Sequence, residues 1–213
     1  MCFEIYEDNE YRADELKISI LASNVTTIEI EEIEKEIVQD SIYQTFMAEV
    51  LRLKLDIIEQ KYLIEACECA MRNNRLAASA MLGCAAEYLL INLCLAYKEH
   101  LKNNFSEQEE TNFEKKVINA KCAYDRLNEF EKRVESNIKL FKSFGMENPK
   151  LNFNFLDIIR KVRNQSGHPT GDYISANDLK MIFGNYQHFI KITHLIIKEL
   201  SKYKEDKSNN VDK

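Results

Sequence analysis

The stretch Ile159-Arg160-Lys161-Val162-Arg163-Asn164-Gln165-Ser166-Gly167-His168-Pro169-Thr170-Gly171 gathers three cations, amides, a hydroxyl and an imidazole. Imidazole titrates near neutrality and moves a proton in either direction. A guanidinium stays charged and offers a rigid fork to phosphate oxygens. Arg163 and His168 on one phosphate could therefore cleave RNA without a metal ion. One group assists attack of the ribose 2′-OH on phosphorus, another protonates the leaving 5′ oxygen, and Arg163 stabilises the developing charge. One His does not easily act as base and acid at once, and two copies across a dimer would supply both. Asn164 would orient either residue or the substrate, and Arg160 and Lys161 would meet the RNA backbone. The competing reading is bland. Arg163 pairs with a carboxylate such as Glu87, and His168 merely finishes a helix.

For the pair to converge, the chain must turn just after Arg163, because a step of five does not align two side chains on one helical face. Gly167 and Pro169 supply that stop: a residue tolerant of positive φ, then a helix breaker. The short helix before it is expected from about residue 154 to 162. The chain as a whole reads as all-α, a bundle of four or five helices, since five Gly and two Pro in 213 residues are too few for a loop-rich β fold.

Apolar residues recur at steps of three and four from Phe46 to Met71, which predicts one helix over residues 41–71. Asn73-Asn74 breaks it. A second long helix is expected over residues 76–101, where residues 77–97 carry one charge, Glu87. That length reaches membrane-span range. The Ala content, Asn92 and the cost of a mid-span carboxylate, about 2.5–3.5 kcal/mol, favour a buried bundle helix instead, with no membrane partner. Gly83 would let a neighbouring helix approach closely, including one from a second subunit. Residues 103–150 carry a stripe of Phe113, Val117, Ala120, Tyr124, Leu127 and Phe130. Ser175-Ala176-Asn177-Asp178 resembles a capping box opening a last helix to about Tyr203.

Three parts follow: an acidic extension over residues 1–44, a helical domain over 45–203 and a polar tail over 204–213. Residues 1–44 are open between a short hairpin and an acidic helix. They hold three Lys/Arg against twelve Asp/Glu, so the net charge of −6 conceals a body of +3. Acidity therefore does not exclude an RNA substrate: the extension could cover a basic cleft, mimic nucleic acid or keep the chain soluble. Four of the six Cys lie in apolar helical sequence, and the chain opens on acidic residues, which suits a reducing cytoplasm. Cys67 and Cys69 are two apart on a helix and point to different sides, so no metal site is expected. His188 and His194 read as ordinary, partly exposed residues. No phosphate loop or nucleotide fingerprint is present, and no cofactor is expected.

Arg163, Asn164 and His168, with four residues between Arg and His, resemble the motif of the HEPN superfamily (higher eukaryotes and prokaryotes nucleotide-binding domain). The flank from Gly167 to Gly171 and the helix around Ala85-Ala86-Glu87-Tyr88-Leu89-Leu90 are similar to prokaryotic members. The resemblance covers about residues 45–203. It implies an all-α bundle that dimerises so that two Arg–His motifs share one cleft. It also implies metal-independent endoribonuclease activity in toxin–antitoxin, abortive-infection or other defence systems, with an antitoxin or defence protein as partner. Other members bind RNA, nucleotide or protein without catalysis. Members controlled by modification carry Tyr two residues after the His, where this chain has Thr170.

Overall fold

The structure, a computed structural model, describes residues 41–168 and 174–204. These form eight α-helices and no strand among the described residues: α1 (Ser41–Arg52), α2 (Ile57–Met71), α3 (Arg75–Asn104), α4 (Glu107–Phe113), α5 (Ala123–Ser136), α6 (Ile138–Ser143), α7 (Pro149–Ser166) and α8 (Ala176–Leu200). A π-helical turn, Glu114–Ile118, follows α4 directly. The expected strands or helix before residue 41 lie outside the described residues, as does the end of the tail.

The all-α expectation holds, with more and shorter helices than the four or five predicted. Residues 41–71 are two helices, because Asp56 caps α2 by accepting the amide N–H of Ile58 at 2.8 Å. The polar stretch after α3 breaks at similar signals. Ser106 caps α4, and the π turn closes with the Asn119 amide donating to the Glu114 carbonyl. Asn148 caps α7, and Pro149 takes its first turn, so α7 begins well before the expected residue 154. Ser175 opens α8 as the capping pattern predicted, with its hydroxyl accepting from Asp178 N–H. Among the described residues the first helix starts at Ser41.

The centre is α3. It is apolar nearly all round, as a helix must be when neighbours cover most of its sides. It packs against α2, α7 and α8. Arg75–Asn104 is long and apolar enough to cross a membrane by length and composition, yet 56% of its apolar window is covered by the other helices. Around its C-terminal half, Tyr97 meets Phe113, Phe130 and Phe141 with ring centroids 5.2–5.8 Å apart. The Tyr97 hydroxyl accepts from Asn137 at 2.7 Å, which satisfies the one polar atom of that ring. A second aromatic group, Tyr43, Phe46, Phe183 and Tyr186, joins α1 to α8. Cys67 and Cys94 are buried as small hydrophobes, and burial pushes the Cys67 thiol up to about 12 and raises Cys94 further. No disulfide joins the described cysteines.

Glu59, fully enclosed in the first turn of α2, is met by His194 of α8, whose Nε2 lies 3.2 and 3.0 Å from the two carboxylate oxygens. His194 is therefore no ordinary surface residue. Nearby, burial and then the charge of Glu59 keep the enclosed Tyr186 hydroxyl protonated. Removing the partner of a buried polar group leaves that group unsatisfied, at about 1–3 kcal/mol. His194→Ala is expected to cost about that much in denaturant unfolding, and a loss within a few tenths would show that Glu59 is satisfied without it.

Candidate active site

Arg163 sits on the inner face of α7, one turn beyond buried Ile159 in the series Phe153, Leu156, Ile159. It must therefore cross the α3 surface, and Gly83 gives it room. A Cβ at position 83 would lie 2.4 Å from both Cβ and Cγ of Arg163. The close approach expected at Gly83 is thus made within one chain, by the stem of the candidate catalytic arginine. One turn further along α3, Glu87 receives the guanidinium: Arg163 Nη2 donates to Glu87 Oε2 at 2.9 Å. The sequence had named this carboxylate as the competing partner.

A second guanidinium faces the same carboxylate. Arg126 of α5 places Nη1 3.8 Å from Glu87 Oε1, while its Nη2 donates to the Ile118 carbonyl at 3.5 Å. Glu87 thus lies between two cations. A cleft of about 20 Å³, with room for about one water, opens beside them between Glu87, Ala123, Leu156, Arg160 and Arg163. Arg163 Nε is buried and has no hydrogen-bond partner among the described residues, so the guanidinium keeps donor capacity beyond Glu87.

The other predicted residues differ in setting. Arg160 donates from Nε and Nη2 to Asp157 Oδ1, at 2.9 and 2.7 Å, and its guanidinium lies 4.9 Å from the centre of the Tyr124 ring. Exposed Lys161 takes the other Asp157 oxygen at 2.8 Å. Burial would raise the Asp157 carboxyl, but Lys161 and Arg160 together hold it below the usual range. The two cations expected to meet RNA are thus already neutralised in part by one acid. Asn164 is exposed, and its side chain makes no hydrogen bond to Arg163 or His168.

His168 is exposed just beyond α7, tied back by its amide N–H donating to the Gln165 carbonyl at 3.1 Å. The helix stops where expected, at Ser166 with Gly167 as its C-cap, but Gly167 has φ −88°, so the stop is made without the left-handed conformation. No hydrogen bond joins Arg163 to His168 within the chain; one is anchored on α3 and the other faces outward. Pro169, Thr170, Gly171 and Tyr173 lie outside the described residues. Arg75 donates to the Ile174 carbonyl at 3.2 Å, which holds the start of the approach to α8 beside the start of α3.

Sequence reasoning missed Arg126, took Tyr124 for one position of an apolar stripe, and expected a close approach at Gly83 without naming Arg163 as the residue that makes it. Arg126 stands in a helix crowded with charged residues of both signs, which hides it. The usable signal was Glu87: a lone charge in an apolar helix demands cations, and two supply it. Among the described residues no three His, Cys, Asp or Glu are grouped to hold a metal. No protein-family model, curated protein or solved structure matches the chain.

Two outcomes follow from this geometry. Gly83→Ala gains about 1 kcal/mol of helix propensity yet should lose about 1–3 kcal/mol net by overpacking, read as a lower denaturation midpoint. Asp157→Asn should cost a few tenths to about 1 kcal/mol at neutral pH. Because folding lowers this acid below its ordinary value of 3.8, its contribution is present above that value and is lost as pH falls through the folded one. Denaturation curves of the two proteins should therefore differ at neutral pH and converge as pH falls past the lowered folded value of this acid.

Proposed function

We propose that the chain is a metal-independent endoribonuclease of HEPN type, acting as a homodimer in the cytoplasm within prokaryotic toxin–antitoxin or anti-phage defence. The observation that carries the reading is the division of labour on α7: a guanidinium held in fixed orientation by Glu87 and an exposed imidazole at the helix end. In the reaction, one His168 takes the proton from a ribose 2′-OH, and its oxygen attacks phosphorus. The bond to the 5′ oxygen breaks, and His168 of a second copy donates the proton that this oxygen needs. Arg163 stabilises the charge on the phosphoryl oxygens. The products are a 2′,3′-cyclic phosphate and a free 5′-OH.

A surface suited to the second copy adjoins the motif. Phe155, Ile158, Val162, Met181 and Ile182 line a groove of about 620 Å³ between α7 and α8, with Gln165 and Ser166 at its edge. Ile158 and Met181 are half exposed or more, which favours an apolar partner there. The second reading is a non-catalytic module binding RNA, nucleotide or protein. It is favoured by the same ion pair, since Glu87 already answers the charge that a phosphate would need.

The purified chain, incubated with single-stranded and structured RNA in EDTA, should yield cyclic-phosphate ends. His168→Ala and Arg163→Ala should each lower the rate at least about a hundredfold. Cleavage unchanged by His168→Ala would remove that residue from the mechanism, and no cleavage of any RNA would favour the binding module. Met181→Glu should convert a dimer to a monomer in sedimentation and abolish cleavage together.

A further inference from the structure

Tyr124 was expected in the apolar stripe of its helix, but 49% of it is exposed. What covers it in part is a cation rather than the core. The Arg160 guanidinium lies 4.9 Å from the ring centre, near enough for the ring's negative face to attract it. Asp157 holds that guanidinium through Nε and Nη2, so its plane is fixed, while Nη1 has no protein partner among the described residues. Tyr124 follows Ala123, and Ala123, Arg160 and Arg163 all border the one narrow cleft. The molecule therefore presents an exposed aromatic ring, a rigid guanidinium and the candidate phosphate-binding arginine in sequence along one surface.

We propose that Tyr124 and Arg160 form a stacking platform for one unpaired nucleobase of the RNA whose phosphate reaches Arg163. This rests on the ribonuclease reading and adds to it a substrate class: single-stranded RNA or a loop. Bases have two flat faces, and in a duplex both are occupied by neighbouring base pairs. Only an unpaired base can lie against an aromatic ring or a guanidinium plane. The charge of Arg160 serves the adjoining phosphate through Nη1, and the ring supplies contact that does not depend on base identity. Asp157 is then a positioning residue that prevents the guanidinium from swinging to a phosphate and leaving the ring.

The test uses the full chain carrying His168→Ala, which holds RNA without cutting it, and an unstructured RNA with one 2-aminopurine. Binding is read by anisotropy of an end label, and stacking by quenching of the 2-aminopurine. Adding Tyr124→Ala should weaken single-stranded binding about tenfold and remove the quenching, whereas Tyr124→Phe should preserve both. Arg160→Lys should keep the salt dependence of binding and lose the quenching. Duplex RNA should bind more weakly and respond little to Tyr124→Ala. Should Tyr124→Ala leave affinity and quenching unchanged while the unsubstituted chain cleaves RNA, the platform is wrong and the ribonuclease reading stands. No binding of RNA by any form overturns both. Equal binding of duplex and single strand overturns the platform alone. Unchanged thermal melting of each variant excludes misfolding as the cause of a loss.

Discussion

Glu87 is a carboxylate, two-thirds covered, in a thirty-residue helix whose inward residues are mostly Ala, Leu, Cys and Gly. Leaving such a group unpaired there is costly, and the fold brings two cations to it, Arg163 from α7 and Arg126 from α5. Meeting that demand fixes much else. The arginine stem must lie across α3, which needs a residue without a side chain at position 83. α7 must then run close to α3, and the end of α7 must emerge at the surface beside the α3 N-terminus, where Arg75 holds Ile174. The candidate chemistry hangs from the far end of this arrangement.

The same rule recurs through the bundle. Glu49 on α1 is met by Gln187 and Lys191 of α8, Glu59 on α2 by His194 of α8, and Glu87 on α3 by Arg163 of α7. Acids on the first three helices are each answered from the last two. Apolar packing is tolerant of small shifts along a helix axis, whereas these pairs are not. They fix the register of the C-terminal pair against the N-terminal layer, which places residues of α7 far apart in sequence from their partners at a defined height.

Much of this was legible in the residues. Periodicity gave the long central helix to within a few residues, and Asn74 and Ser175 marked real starts because their side chains accept the orphan amides of a first turn, whereas the same cap at Asn148 went unread and the start of α7 was expected some residues later. The break at residues 53–56 was not legible, since the apolar pattern runs through it and only the Asp56 cap reveals it. Gly167 does end α7, yet with φ −88°, because a residue that permits positive φ does not require it. At the site, residue types pointed to Arg163 and His168. Their separate settings follow from which side of α7 faces α3, a property of packing. Tyr124 fitted a stripe of core positions by spacing, yet the stripe is interrupted before it, where the chain leaves the π turn and restarts as α5.

The cysteines carry a consequence of their own. Only the thiolate is an effective nucleophile toward alkylating reagents. Cys67 and Cys94 are enclosed on α2 and α3, with thiols driven far from ionisation, whereas Cys122 stands exposed at the start of α5. Modification of the first two therefore requires that α2 and α3 part from their neighbours. Their labelling rate is a clock for opening of the core, set against a fast internal standard on the surface of the same chain.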